Sequence, residues 1–93
     1  MITTNIVREN TYLDSVLLMS VSSELKMTDG VAEVSTIMGT EANKAILKAS
    51  GLLAQAGERA RPGDLIIALK VANREAEKRA IARAAVDLVG ADE

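Results

Sequence analysis

The sequence predicts a small α/β domain with the order β-α-β-α-β-α and a three-stranded, mostly parallel sheet. Three segments have the β-branched or apolar character of strands, namely residues 2–8, 31–37 and 64–71. Each is followed by a segment whose apolar residues recur at helical spacing. Because strands joined by helices usually pair in parallel with right-handed crossovers, this alternation indicates a layered α/β domain.

The whole chain, residues 1–93, is predicted to form one domain. A chain of this length buries only about 60–65% of its unfolded surface, which is enough for one modest core. That core must be aliphatic, since the sequence has one Tyr and no Phe or Trp.

The first strand and the first helix are predicted at residues 2–8 and about 12–26. The strand alternates apolar and polar positions, which indicates one wetter face. The helix carries apolar residues at helical spacing, among them Leu13, Val16, Leu17, Val21 and Leu25. Leu18 and Met19 widen this arc, so either the helix packs between the sheet and the third helix, or these two side chains contact a second chain or domain.

The second strand, residues 31–37, leads through the turn Met38-Gly39-Thr40 into a helix predicted at residues 41–50. Gly51 is expected to end this helix, because glycine takes the left-handed conformation that helix C-termini favour.

Residues 52–63 are predicted to form an irregular connection, because Pro62-Gly63 is a strong turn signal. The third strand, residues 64–71, is almost continuously apolar, as in a central strand covered on both faces. The last helix is predicted at residues 73–89, with a buried stripe of Ala76, Ala80, Ile81, Ala84, Ala85 and Leu88.

A ferredoxin-like or ACT-like α+β fold is the alternative. It would need a further strand within residues 52–63 or a division of the second strand, and the pattern shows neither clearly. A three-stranded sheet leaves exposed edges, so we expect the domain to form a homo-oligomer or to dock onto another domain.

Composition excludes several classes of function. The net charge is −2 and aromatic residues are nearly absent, so the chain offers no footprint for nucleic acid. It has no Cys and no His, which removes disulfides, thiolate metal sites and the commonest general base. No apolar run approaches the roughly 20 residues of a membrane span, and the N-terminus lacks the pattern of a secretion signal. We therefore expect a cytoplasmic protein that binds neither nucleic acid nor membranes.

The turn before the second helix is the best candidate for a binding site. Gly39 lets the backbone approach a ligand, and Thr40 can cap the helix by accepting an N–H group of its first turn. Free N–H groups at a helix start favour an anion, and Asn43 and Lys44 could add an amide and a positive charge. Glu41 opposes this, and the alternative is a plain strand-to-helix turn without a ligand.

Asp14-Ser15 is a second candidate, since a serine beside an aspartate resembles a nucleophile with an orienting group. No base completes that set, so N-capping by Asp14 is the favoured interpretation. Arg8, Arg59 and Arg61 could hold a carboxylate, but they are spread over a strand end and a loop. The carboxylates show no metal-ligand spacing, and neither a catalytic residue nor a metal is assigned.

Several motifs resemble the N-terminal domain of FdrA-type proteins, which are similar to acyl-CoA synthetases of the succinyl-CoA ligase kind. They follow one another along residues 10–71 and comprise Tyr12-Leu13-Asp14-Ser15-Val16, Val34-Ser35, Met38-Gly39-Thr40, Asn43-Lys44, Gly51-Leu52 and Arg61-Pro62-Gly63-Asp64-Leu65. The resemblance implies a bacterial cytoplasmic protein linked to acyl-CoA or carbamoyl chemistry, some members being associated with oxamate carbamoyl transfer. It points to Asp14, Ser15, Met38, Gly39, Thr40, Asn43 and Lys44 as site residues.

The chain has no Rossmann-type glycine fingerprint and no histidine to phosphorylate, so it cannot carry ligase-type chemistry alone. We therefore expect an accessory or regulatory module that associates with itself or with an acyl-CoA synthetase-like chain, and that binds a small anion or acyl-CoA-type ligand. The alternative is a subunit of a carbamoyl- or acyl-transferase complex that is active only when assembled. No cofactor is assigned to this chain itself, and CoA or acyl-CoA could be a cofactor of the complex.

Overall fold

The computed structural model describes residues 1–92, with side chains described as far as Val86. Its elements are β1 Ile2–Arg8, α1 Ser15–Lys26, β2 Val31–Met38, α2 Glu41–Ala49, α3 Gln55–Glu58, β3 Leu65–Val71 and α4 Arg74–Asp92. The three predicted strands are confirmed to within one residue at each end. The predicted irregular connection contains the short helix α3, and α4 continues past its predicted end at residue 89. Among the described residues, no helix is both long and apolar enough to cross a lipid bilayer.

The sheet has the order β1-β3-β2, and both neighbouring pairs are antiparallel. The predicted mostly parallel β-α-β-α-β-α sheet is therefore wrong, and the domain is an α+β fold. β1 and β2 run in the same direction, but β3 lies between them and runs the opposite way. This split β-α-β arrangement fits the ferredoxin-like alternative, although residues 52–63 form no strand and β2 is not divided.

The connection from β2 to β3 explains the antiparallel pairing. It holds two helices rather than one crossover helix. The chain leaves one end of the sheet along α2 and returns to the same end after α3. β3 then starts where β2 ends, and Met38 pairs with Leu65. Sequence periodicity detects the helices but does not show at which end of the sheet a connection finishes.

Helices cover both faces of the sheet. On one face α1 and α4 pack over a cluster that comprises Leu13, Val21, Leu25, Leu65, Ile67, Leu69, Val71, Ala76, Ala80 and Ala84. On the other face, α2 and the segment around α3 enclose Leu47, Leu52, Ala60, Ile66 and Ala68. β3 contributes to both clusters, so the prediction of a central strand covered on both faces is confirmed.

Asn5 attaches the segment after α2 to β1. Its Nδ2 donates to the carbonyl oxygen of Leu52 over 2.9 Å, and its Oδ1 accepts the N–H of Ala54 over 2.7 Å. The polar face predicted for the first strand is thus used to hold the returning chain against the sheet.

The faces of two helices differ from the prediction at several positions. α1 begins at Ser15 rather than at residue 12, and Val16 and Leu17 are exposed rather than buried. In α4, Ile81 and Ala85 are exposed, and the side chain of Leu88 lies outside the described residues. The remainder of the predicted α4 stripe is confirmed as buried, namely Ala76, Ala80 and Ala84.

Candidate functional site

The turn between β2 and α2 is held by hydrogen bonds within its own segment. Thr40 is the N-cap of α2, and its Oγ1 accepts the N–H of Asn43 over 3.2 Å. The predicted capping role of Thr40 is therefore confirmed. The Asn43 side chain turns back, and its Nδ2 donates to the carbonyl oxygen of Met38 over 2.9 Å.

Gly39 is buried, and the space beside it is filled by the protein itself. Its N–H donates to the carbonyl oxygen of Asp64 over 2.8 Å. A Cβ at this position would lie 2.5 Å from the carbonyl oxygen of Arg61 and 3.1 Å from the Cβ of Ala60. The glycine thus permits a close approach by the chain that precedes β3.

The amine of Lys44 also contacts the protein. Its Nζ donates to the carbonyl oxygen of Glu58 over 3.0 Å and lies 3.6 Å from Oε1 of Glu41. The Lys44 side chain is only 13% exposed. These contacts join α2 to α3, while binding of an anion by Gly39, Thr40, Asn43 and Lys44 stays a prediction.

Asp14 and Ser15 lie at the start of α1. Oδ1 of Asp14 accepts the N–H of Leu17 over 3.0 Å, so the predicted N-cap is confirmed. Ser15 is the exposed first residue of the helix. Since β1 and β2 run in the same direction, the starts of α1 and α2 lie at the same end of the sheet, where these two strands finish.

Asp64 lies at that end of the sheet and joins the segments that contain Asn10, Gly39 and Arg61, a role that its sequence position did not predict. Its carboxylate accepts the N–H of Asn10 over 3.0 Å and the N–H of Arg61 over 2.9 Å, and its carbonyl oxygen accepts the N–H of Gly39. Asn10 has a positive φ of 49°, a conformation that asparagine tolerates better than most residues. A carboxylate placed directly between a Pro62-Gly63 turn and an apolar strand was the available signal, because such residues often bind backbone N–H groups.

These contacts lower the pKa of Asp64 below its ordinary value of 3.8, chiefly through the N–H of Arg61 and then that of Asn10. Burial acts in the opposite direction but is outweighed, and the positive charge of Arg61 adds a smaller lowering effect. Arg61 itself is exposed, with its Nε 3.9 Å from Oδ2 of Asp64. Arg61 is one of the three arginines predicted as able to hold a ligand carboxylate, and it contacts the carboxylate of Asp64 in its own chain.

Replacing Asp64 by Asn is expected to lower the stability of the domain at neutral pH and to make its stability less sensitive to acid. Because the folded-state pKa is lowered, the contribution of Asp64 is complete above the ordinary value of 3.8 and is lost as the pH falls through the folded-state pKa. Urea unfolding of both proteins between about pH 6 and about pH 3 measures this effect, and their difference should shrink at the acid end. Glu33→Gln, at an exposed position, is the control; a difference that did not change with pH would contradict the prediction.

The outward face of α1 is uncharged and carries two apolar side chains, where a solvent-facing helix is usually charged. Val16 is 75% exposed and Met19 is 69% exposed. Leu18 is half-buried and packs against the core, so of the two side chains considered for a partner contact only Met19 is left in solvent. No charged residue occurs between residues 15 and 23. We define the α1 surface as the exposed residues Ser15, Val16, Met19, Ser20 and Ser23.

A shallow groove lies beside the α1 surface, between α1 and β2. Its lining comprises Leu18, Met19, Ser22, Ser23, Val34, Ser35 and Thr36. The buried Thr36 donates from Oγ1 to the carbonyl oxygen of Leu18 over 2.7 Å, and it accepts from Oγ of Ser22 over 2.6 Å. These bonds hold α1 on β2 and so keep the α1 surface in a defined position.

Comparison with known proteins identifies a family, and the relatives found include a much longer protein. Residues 1–92 match the family model described as "AllF, heavy metal-associated domain". Over 64 residues the chain is 45% identical to the uncharacterized protein YahF of Escherichia coli (strain K12). That stretch is 69% of this chain but only 12% of YahF. No solved structure matches the chain. The more specific link to FdrA-type proteins stays a proposal.

The residues present do not fit the heavy-metal site that the family description suggests. Soft and borderline metal ions prefer thiolate and imidazole ligands, and the sequence has no Cys and no His. Within the part of the chain that the structure describes, no group of three carboxylates is placed to hold a metal ion. Membership therefore rests on the sequence match along nearly the whole chain, and on that match the chain belongs to the AllF heavy metal-associated domain family.

Proposed function

We propose that this domain is an accessory docking module that is not catalytic alone and that binds a larger chain of the FdrA, acyl-CoA synthetase-like kind. The α1 surface is the docking site. The observation that carries this proposal is the pair Val16 and Met19, both largely in solvent on a helix face without charges.

Leaving apolar side chains of that surface in water costs free energy that a partner would recover. Fully burying a side chain of the size of Val16 or Met19 is favoured by about 1.5–3 kcal/mol over leaving it exposed. Contiguous exposed apolar surface often marks a contact with another protein. The serines of the α1 surface add a second property, since their small side chains allow another backbone to approach closely. Hydrogen bonds from Thr36 and Ser22 also hold α1 on β2.

The choice of partner follows from the length of the relative and from the motif resemblance. YahF is far longer than the matching stretch, so in that protein the domain is a small part of a larger chain. The resemblance to FdrA-type proteins suggests acyl-CoA or carbamoyl transfer as the chemistry of the assembly. CoA and the reacting groups would then be bound by the larger chain, and this domain would position or regulate it.

Met19→Glu is expected to weaken binding to an FdrA-type acyl-CoA synthetase-like chain from the same genome by about tenfold or more, because it places a charge in the apolar contact. Isothermal titration calorimetry of the two purified chains measures the dissociation constant. Ile46→Glu is the matched control, since Ile46 is likewise largely exposed, at 60%, but lies on α2, at the other face of the sheet.

Two outcomes would contradict the docking proposal. In one, the two chains fail to bind at any accessible concentration. In the other, Met19→Glu and Ile46→Glu weaken binding equally, which would mean that the contact is not made by α1. If the complex forms and its transferase activity requires this domain, the domain is instead a subunit of that enzyme, as in the alternative interpretation.

A further inference from the structure

β1 forms an outer edge of the sheet, and its own sequence lacks the residues that usually protect such an edge. α3 and the segment before it contact β1 through the face opposite α4. Natural edge strands are commonly short, bulged, or interrupted by Pro or by charged residues. β1 pairs regularly with β3 from Ile2 to Arg8. It contains no Pro, and its single charged residue is Arg8 at its end. The outer backbone groups of β1 therefore offer a regular template for another strand.

The opposite edge, β2, is protected in three ways. The register with β3 shifts between Val31 and Glu33, which indicates a bulge or irregularity. Glu33 places an exposed charge on the strand. Nζ of Lys26 donates to the carbonyl oxygen of Ala32 over 2.8 Å. The contrast between the two edges singles out β1 as the one open to pairing.

α4 leaves an apolar side chain beside the β1 edge. Arg79 and Arg83 contact residues on the α1 side of the helix, through the carbonyl oxygen of Asp29 and the carboxylate of Glu24. Ile81 lies two positions from each arginine, and so about 160–200° around the helix from them. Since α1 packs on β2 at the other edge, Ile81 faces the β1 side, where it remains 44% exposed.

We propose that a second copy of this chain occupies this edge, with the two β1 strands paired antiparallel about a twofold axis. Neighbouring strands lie about 4.8 Å apart. α4 contacts all three strands, β1 most of all, so the two α4 helices would lie on the same face of the joined sheet, about two to three strand spacings apart, with Ile81 of each directed into the gap between them. The same contact would continue the sheet across both copies and cover Ile81 of each.

The sequence of β1 suits pairing with itself. Centred on Asn5, the antiparallel register places Thr4 opposite Ile6 of the second copy, and cross-strand pairs that include β-branched residues stabilise sheets. The two Arg8 side chains lie at opposite ends of the pair, so like charges are kept apart. Because this contact uses the unprotected edge of both copies and leaves outward only the protected β2 edges, it closes as a dimer instead of growing into a fibre.

The test uses the purified chain alone, so it is separate from the partner binding proposed above. Sedimentation equilibrium should show a monomer–dimer equilibrium, and Ile81→Lys should raise its dissociation constant about tenfold or more. Val86→Lys is the matched control, because Val86 is 67% exposed on the same helix but lies about 140° around it from Ile81. This variant should leave the dimer unchanged.

Hydrogen exchange at low and high protein concentration gives a readout that does not depend on how a variant folds. Backbone amides of β1 should become more protected as the concentration rises, whereas those of β2 and α1 should not. A chain that is monomeric at every concentration, a dimer weakened equally by Val86→Lys, or protection confined to α1 would overturn the proposal.

Discussion

Leu47→Ala is expected to lower the free energy of unfolding by about 2–5 kcal/mol. Leu47 is the buried residue of α2 and is only 1% exposed. It lies with Leu52 and Ile66 in the cluster that holds α2 on the sheet. Its truncation both returns apolar surface to water and leaves a cavity that the surrounding residues cannot fully close.

Urea unfolding monitored by circular dichroism measures this loss. The neighbouring change Ile46→Ala is the control, because Ile46 is 60% exposed and should alter stability by about 0.5 kcal/mol at most. Equal small effects of the two substitutions would mean that α2 does not pack on this face. Partner binding through α1 should survive Leu47→Ala under folding conditions, since α1 lies on the opposite face.

Gly39→Ala is expected to lower the free energy of unfolding by about 1–3 kcal/mol, because the added methyl group overpacks the turn. The new Cβ would lie 2.5 Å from the carbonyl oxygen of Arg61, which is a backbone atom and cannot rotate away like a side chain. The backbone must therefore shift, and the hydrogen bond from Gly39 to the carbonyl of Asp64 is strained with it.

Gly63→Ala is the matched control for that substitution. A Cβ at Gly63 would lie 4.0 Å from Oδ1 of Asn10, so the change should be neutral or should stabilise the chain by about 0.4–1 kcal/mol through the unfolded state. Thermal or urea unfolding of both variants decides the comparison. If Gly39→Ala left the free energy of unfolding unchanged, the space beside Gly39 would be open rather than filled by Arg61 and Ala60. The anion-binding prediction for Gly39 and Thr40 would then gain support.

The helix caps could be predicted because their partners are close in sequence. Asp14 accepts the N–H of Leu17, and Thr40 accepts that of Asn43, each three residues further on. Such contacts depend on local backbone geometry and residue type, which a short window of sequence contains.

The role of Asp64 could not be predicted in the same way. One of its partners, Asn10, is 54 residues away in sequence. The contact exists because β1 and β3 are neighbours in an antiparallel sheet, and that pairing was not predicted. A carboxylate between a turn and a buried strand is a local hint, but the hint does not identify the segment that will supply the N–H group.

The outward face of α1 shows a similar limit. Periodicity correctly indicated an amphipathic helix, yet it placed Val16 inside and left the orientation of Leu18 and Met19 open. The helix rotates so that Leu18 lies on the core and Val16 and Met19 face solvent. When both sides of a helix carry apolar residues, the neighbouring strand selects the buried side.

Residue types and their spacing were sufficient for the three strands, the main helices, two N-caps and the burial of β3 on both faces, since each of these depends on neighbours within a few positions. Only the tertiary structure decided the strand directions, the difference between the β1 and β2 edges, and the contacts of Asp64. They depend on where the connection through α2 and α3 returns the backbone, and that path is set by packing between segments far apart in sequence.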